Sequence, residues 1–392
     1  MASASQVAAR AGRLLARPGG HFTYEPAPLP PAGLTLSGEI HRRLSEADRA
    51  LGFLCGQVAS RPRVAALVGL ACQREAVASC RLEGSPVTLR DLLWWDFDGA
   101  RAEGLTCSRG DIRICANYAQ TLREMPQHAG GDATPVLGKS LRQLHSQLFR
   151  GVRGRDERPG RFRQSEIWLG PRGSTPYTAH HVPPAPEHIP EHLARLLAFA
   201  VEDVALPQLA RIALITYQLE TIHPFVDGSG RVTRLALLGL LREIHQEGVQ
   251  LLCPSVLLAT DLGRHFHRLQ RVRREGDWES WVLHFGTLLR DSARAGSALL
   301  VEEAGVLDNH EEQILRQEPT VRDTAISLLR HLASHPIISV PQVAQVCGRS
   351  FANANLLVGR LEALGILTEI TGRRRHRRYI YEPFVALLQA EQ

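Results

Sequence analysis

His223-Pro224-Phe225-Val226-Asp227-Gly228-Ser229-Gly230-Arg231-Val232-Thr233-Arg234 is the stretch on which the reading of this 392-residue chain turns. An amphipathic run, Leu209 to Ile222, stops at the proline, and the apolar run Leu235 to Leu241 follows. The stretch is therefore a short loop feeding the N-terminus of a second helix. The first N–H groups of a helix have no internal partner and carry the positive end of its dipole, so such a junction suits an anion.

The side chains sharpen that expectation. Gly228 and Gly230 let the backbone approach a ligand closely, so that loop N–H groups can wrap phosphate oxygens. Arg231 and Arg234 lie three apart in the first turn, where they oppose the dipole and make sense only around an anion. Asp227 offers a hard oxygen of the kind Mg²⁺ takes in nucleotide sites, and His223 is the one group able to exchange a proton near neutral pH. A base, a metal ligand, an anion cradle and two cations within one loop describe phosphoryl or nucleotidyl transfer. Each part alone is weak evidence; their coincidence is not.

The loop resembles the signature of the Fic family, H-P-F-x-D/E-G-N-G-R-x-x-R, at every fixed position but one: Ser229 stands where that family has Asn. The resemblance implies a mainly α fold, a Fic helical bundle with a β-hairpin flap, and transfer of AMP from ATP to a Ser, Thr or Tyr hydroxyl of a target protein. It further implies that His223 takes the proton of the attacking hydroxyl, Phe225 anchors the loop and Asp227 holds Mg²⁺. Gly228, Ser229 and Gly230 cradle the phosphates, Arg231 steadies them and Arg234 meets the γ-phosphate. The Ser229 hydroxyl is shorter than an Asn amide, which leaves open a reduced activity or a different transferred group.

Upstream, Glu75 to Pro86 contains Ser79 and Glu83, four apart and on one helical face, with Gly84 and Pro86 ending the helix. A carboxylate at a helix C-terminus opposes the dipole and needs a cationic partner. The S-x-x-x-E-G spacing resembles the inhibitory helix of Fic proteins, which implies that Glu83 pairs with Arg234 and occupies the γ-phosphate position. The expected consequence is auto-inhibition.

The rest of the chain is consistent with a mainly helical protein of several parts. With 44% hydrophobic residues it can bury real cores, and its net charge of +6 permits, without requiring, an acidic or nucleic-acid partner. Lys139 is the sole lysine. Seven cysteines show no paired or zinc spacing and read as reduced thiols of a cytoplasmic protein, and no apolar run reaches the roughly 18 residues of a membrane span. Gly138-Lys139-Ser140 lacks the earlier glycine of a phosphate loop, Ala133 standing in its place. Residues 165–170 and 179–184, on either side of a Gly/Pro/Ser/Thr-rich turn, resemble the two arms of the Fic flap, which holds a target by strand addition. His180, His181, His188 and His192 are spaced poorly for zinc because Pro190 interrupts them.

The resemblance covers roughly residues 10 to 295. The expected organisation is an N-terminal associated segment with the inhibitory motif (1–125), a catalytic core (126–295), a linking helix (296–318) and a small C-terminal domain (319–392). In the last, three helices precede strands 366–370 and 378–381, the order of a winged helix-turn-helix, with Arg373 to Arg378 in the wing. Its third helix carries Asn353, Asn355 and Arg360 but is otherwise apolar, which is poor for reading bases. Two alternatives to the adenylyltransferase reading stay open. One is a DNA-binding regulator with a nucleotide-sensing or self-modifying core; the other is removal of AMP or transfer of another phosphate-containing group. Self-modification and a homodimer are both compatible with the sequence.

Overall fold

The computed structural model describes residues 10–61, 64–99, 105–125, 139–152, 158–202, 204–245 and 248–389. Ala133 and Gly138, on which the rejection of a phosphate loop turns, lie outside the described residues.

The chain opens with a two-stranded antiparallel hairpin, β1 (Arg13–Ala16) and β2 (Phe22–Glu25), in register Arg13 with Glu25. It then builds a helical bundle from α1 (Gly38–Ala59), α2 (Ala65–Leu82), α3 (Leu89–Asp98), α4 (Arg109–Arg123) and α5 (Lys139–Leu148). After an irregular segment come α6 (Ile189–Val201), α7 (Gln208–Ile222), α8 (Ser229–His245), α9 (Pro254–Thr260), α10 (Leu262–Glu275) and α11 (Trp278–Gln317).

Local chemistry explains the boundaries. Ser37 caps α1 by accepting from the Ile40 N–H at 3.3 Å, and Ile40, Leu44, Ala47, Leu51, Leu54 and Val58 then recur every three or four residues as its buried stripe. Thr88 and Asp91 form a capping box on α3, and Asp277 caps α11 through the Ser280 N–H at 3.2 Å. The central pair α7 and α8 is buried on nearly every side, as a helix is when neighbours cover it all round. α2 packs on α4 and α9, and α1 lies along α11.

Three features differ from the sequence reading. The hairpin β1–β2, turned by Pro18-Gly19-Gly20, was not anticipated. The expected β-hairpin flap is reduced to a single bridge, Leu169 with His181, in which the Leu169 N–H donates to His181 O at 2.8 Å. Pro171, Pro176, Pro183 and Pro184 remove the N–H donors that a longer ladder would need. Finally, α11 is one continuous helix of 40 residues across the position where a bundle helix was divided from a linking helix.

Beyond α11 come α12 (Arg322–Leu332), β3 (Ile337–Ser339), α13 (Val340–Cys347), α14 (Phe351–Ala363), β4 (Thr368–Glu369), β5 (Arg378–Ile380) and α15 (Glu382–Gln389). The sheet is antiparallel in the order β3-β5-β4, so β3 is a third strand where two were expected. This unit is docked on the bundle: α15 packs on α2 and α11, Arg378 lies 5.0 Å over Phe97, and Arg90 pairs with Glu382 at 2.6 Å. Among the described residues no helix is long and apolar enough to cross a membrane, and all seven cysteines are free.

Candidate active site

The loop between α7 and α8 is built around a strained residue. His223 caps α7 in the left-handed region (φ 47°, ψ 66°), its N–H still donating to Leu219 O at 3.1 Å. That conformation costs a non-glycine residue roughly 1–3 kcal/mol unless its surroundings impose it. Arg163 imposes it. Its buried guanidinium donates to the carbonyls of His223 (2.9 Å), Pro184 (2.6 Å), Ser165 (3.2 Å) and Ile222 (3.3 Å). Its backbone N–H donates to Pro224 O at 2.9 Å. Burial without a carboxylate partner brings this guanidinium down to about 10.

Burial also lowers His223, to about 4, with the Arg163 and Arg273 charges adding to the effect and Glu83 opposing it. The imidazole is therefore neutral at pH 7, and its Nδ1 is buried with no hydrogen-bond partner among the described residues. A neutral, desolvated imidazole is able to accept a proton.

Phe225 anchors the loop: it is fully buried and stacks on His145 at 4.0 Å and 13°. His145 Nδ1 accepts from the Gly160 N–H at 2.8 Å, so its proton sits on Nε2, which donates to Asp227 O at 3.1 Å. Ser229 is turned inward. Its hydroxyl accepts from the Phe225 N–H at 2.9 Å and donates to Phe225 O at 3.0 Å, and the residue is 1% exposed. The Ser229 side chain, shorter than the Asn of the family signature, stitches the loop to itself, because a short hydroxyl at this position reaches its own backbone first.

The cations and carboxylates form two layers around the start of α8. Arg231 pairs with Asp227 at 2.5 Å and lies 5.6 Å over the Phe149 ring. Arg234 Nε donates to Ser79 Oγ at 2.8 Å, while its Nη2 donates to Ser79 O at 3.0 Å and Glu83 Oε1 at 2.7 Å. Burial alone raises Glu83, but the charges of Arg234 and Arg231 outweigh it and hold the carboxylate below its ordinary value. Arg234 is correspondingly raised, burial being outweighed by Glu83 and Glu220. Space at the helix start is tight. A Cβ on Gly230 would fall 2.3 Å from Glu83 Oε1, and one on Gly228 (φ +79°) would fall 2.8 Å from Phe149 Cε2. The Glu83 carboxylate thus lies directly over the cradle.

α2, which delivers Ser79 and Glu83, is pinned from inside. Buried Glu75 accepts from Tyr118 OH at 3.2 Å and the Ser255 N–H at 2.9 Å, and from the Ser255 hydroxyl, and burial raises it to about 7. Glu220, one turn before His223, is likewise raised to about 7 by burial and by Glu83.

All the expected site residues are therefore brought to one place, Ser79 and Glu83 from α2 and the rest from the α7–α8 junction. Asp227 is paired with Arg231 just before the start of α8, and its carboxylate is the hard oxygen of the loop that would hold a cation whose shell is completed by phosphates and water. Three of the four histidines considered for zinc are employed otherwise: His181 contacts Thr221 O at 2.9 Å, and His188 and His192 both meet Glu25. Among the described residues no cluster of three metal-ligating side chains forms. Sequence reasoning missed Arg163, His145 and Glu220. For Arg163 the only signal was its place in Pro159-Gly160-Arg161-Phe162-Arg163, which does not distinguish a buried guanidinium from an exposed one.

Residues 138–241 match the Fic/DOC family and residues 41–124 match the Fic/DOC family N-terminal region. Similar curated relatives include protein adenylyltransferase fic-1 of Caenorhabditis briggsae, 28% identical over 235 residues, 55% of this chain and 43% of that protein. Protein adenylyltransferase fic-1 of Caenorhabditis elegans is 23% identical over 241 residues, 56% of this chain and 44% of that protein. The chain spans less than half the length of these relatives. Among solved structures, a Fic family protein from Desulfovibrio desulfuricans G20 aligns with a TM-score of 0.56 at 21% identity, covering 89% of this chain and 97% of its own, a likeness of fold.

Proposed function

Because the chain belongs to the Fic/DOC family, we propose that it is a protein adenylyltransferase that moves AMP from ATP to a hydroxyl of a protein and is restrained by Glu83. The observation that carries this reading is the convergence of a neutral His223, an anion cradle at the start of α8, and the Glu83–Arg234 pair lying over Gly230.

In this reading His223 accepts the proton of a Ser, Thr or Tyr hydroxyl as its oxygen bonds to the α-phosphorus of ATP. The bond to the bridging oxygen breaks, pyrophosphate leaves, and the protein ester of AMP remains. Backbone N–H groups from Gly228 to Gly230 carry the α-phosphate contact, since the Ser229 side chain is engaged with Phe225. Arg231 neutralises charge on the phosphates, and Arg234 accepts the γ-phosphate once Glu83 has left it. Asp227 would hold Mg²⁺, which when bound neutralises charge on the phosphates. The irregular segment 165–184, clamped to the loop through Arg163, is the element against which a target backbone would lie.

For the C-terminal unit we infer a winged helix from the order of α12, α13, α14 and the β3-β5-β4 sheet. The regulator reading is the weaker one. Arg377 is engaged with Asn355 and Tyr379, and Arg378 with Asp98 and Phe97, while α14 exposes two large apolar side chains, Phe351 and Leu356, beside Asn353.

The test is transfer of label from α-phosphate-labelled ATP with Mg²⁺ to the protein itself and to a lysate. Label should rise at least about tenfold in Glu83→Gly and vanish in Glu83→Gly/His223→Ala, general base catalysis being worth roughly 10²–10⁴-fold. Folded Glu83→Gly protein that binds ATP and labels nothing would sink the reading.

A further inference from the structure

Beside the catalytic loop lies a second concave surface that the reading above does not use. A cleft of about 520 Å³ opens between the β1–β2 hairpin, the segment 176–182 and α10. Its three walls are tied to one another. The Tyr24 N–H donates to Val182 O at 2.9 Å, Gln270 Nε2 donates to His180 O at 2.6 Å, and Tyr177 OH donates to Gly19 O. The cleft is thus a formed feature rather than a gap between loosely placed loops.

Its chemistry is one-sided. Arg13, Arg273 and Arg274 line it together with His21 and His180, and no carboxylate does. Acids of the flanking segments are committed elsewhere: Glu166 to Arg17 and His21, Glu187 to Arg17, Glu25 to His188 and His192, and Glu275 to Arg271. Arg13 and Arg274 are exposed and form no ion pair among the described residues. Arg273 points inward, its Nε shielded from solvent without a hydrogen-bond partner, and its charge is felt at His223. The rim carries exposed apolar surface, Leu14 at 63%, Phe22 at 52% and Tyr177 at 68%. Arginine forks surrounded by aromatic and aliphatic contact area are the composition of a peptide-recognition surface.

We propose that this cleft receives an acidic segment of the target polypeptide lying beside the hydroxyl to be modified, with Arg13 and Arg274 pairing to its carboxylates and Leu14, Phe22 and Tyr177 packing on its apolar side chains. The proposal rests on the adenylyltransferase reading and names its substrate class. Because the cleft abuts the segment that would hold the target backbone, an acidic residue a few positions from the hydroxyl supplies binding energy and fixes the register of the peptide against His223.

The probe is a fluorescein-labelled twelve-residue peptide with Asp and Glu around a central Ser-Tyr, compared with the same peptide carrying Lys at the acidic positions. Binding to the full chain is read by anisotropy. The acidic peptide should bind at least about tenfold more tightly, and Arg13→Glu/Arg274→Glu should lose about tenfold, two partly exposed charge pairs reversed together being worth that much. That variant should melt at the wild-type temperature, since neither arginine forms an ion pair in the folded chain. In the Glu83→Gly background it should lower kcat/KM for labelling the acidic peptide while leaving ATP binding unchanged.

Three results overturn the proposal. One is no preference for the acidic peptide. Another is undiminished binding by Arg13→Glu/Arg274→Glu with loss instead in Arg374→Glu/Arg375→Glu, which would put the peptide on the wing. The third is displacement of the peptide by ATP alone, which would make the cleft part of the nucleotide site. Failure of the adenylyltransferase reading shows separately, as absence of label from every substrate whatever the anisotropy.

Discussion

Replacing Arg163 tests whether the strained loop is held from behind. The Arg163 guanidinium covers four carbonyls, of His223, Pro184, Ser165 and Ile222, from a residue only 4% exposed. Hydrogen bonds from a charged group contribute about 1.5–3 kcal/mol each, and a buried carbonyl left unpaired costs about 1–3 kcal/mol. Against that, Arg163→Ala removes a cation whose burial is itself unfavourable, as its fall to about 10 shows. The balance is a loss of about 3 kcal/mol, or a fall in Tm of roughly 4 °C for a chain of 392 residues. Arg163→Lys keeps the charge but not the fork, and should lose about half as much.

The effect on catalysis is distinguishable from mere destabilisation. Without the clamp, His223 relaxes out of its left-handed conformation, and a shift of about 1 Å at a base costs roughly 10²-fold in rate. In the Glu83→Gly background kcat for self-labelling should fall by that factor, with ATP affinity changed less than about threefold because the cradle lies on α8. Arg163 is also one of the charges that depress His223, so its removal should move the acid limb of the rate profile to higher pH. Wild-type Tm and kcat in Arg163→Ala, or a lower rate with an unmoved acid limb, would refute the argument.

Ser229→Ala leaves the buried Phe225 N–H without its acceptor and should cost about 1–2 kcal/mol in urea unfolding with no loss of ATP affinity; weakened ATP binding at unchanged stability would show the hydroxyl facing the nucleotide after all. The pH dependence of stability combines two opposing groups of residues. Between about pH 6.5 and 4.5 the unfolded chain protonates His223, His265 and His284, whose folded values are about 4, 3 and 4, which lowers stability as pH falls. Over the same window the folded chain alone retains protons on Glu75 and Glu220, both at about 7, which raises it. Glu220→Gln removes one of the opposing groups, so stability should fall more steeply with acid by about 1.4 kcal/mol per pH unit; an unchanged slope would mean that Glu220 is ionised in the folded chain.

The chemistry of the site was legible because most of it is local. His223 to Arg234 is one continuous loop and helix start, and Ser79 and Glu83 share a helical face, so residue type and spacing carry the information. Arg163 and His145 were not legible, since each acquires its role from contacts across the chain: Arg163 with His223, and His145 with Asp227. The long helix α11 was misdivided for a related reason. Its apolar residues continue at helical spacing from Leu289 through Ala293, Leu300, Leu307 and Ile314 while its neighbours change from α1 to α12 and α15, and no proline marks the passage. The hairpin β1–β2 had a turn signal in Pro18-Gly19-Gly20, yet four-residue strands are too short to stand out from an extended segment.

The geometry around Arg234 sets how strong restraint by Glu83 can be. Three bonds hold the guanidinium, two to Ser79 and one to Glu83, and the Glu83 side chain is 26% exposed while that of Arg234 is 9% exposed. A γ-phosphate that took the place of the carboxylate would exchange one anion for another at Nη2 and leave both Ser79 bonds intact. Glu83 therefore competes with one end of ATP and not with the whole cradle, and a charge-assisted bond at a partly exposed site is worth about 1–2 kcal/mol. ATP should bind Glu83→Gly about tenfold more tightly than wild type by calorimetry in the presence of Mg²⁺, while the gain in transfer exceeds the gain in affinity. The excess arises because a phosphate chain held at the wrong end places the α-phosphorus away from His223 even when bound. A rise in ATP affinity of several orders of magnitude, or a gain in transfer that merely follows affinity, would mean that Glu83 acts as a plug and not as a misaligning contact.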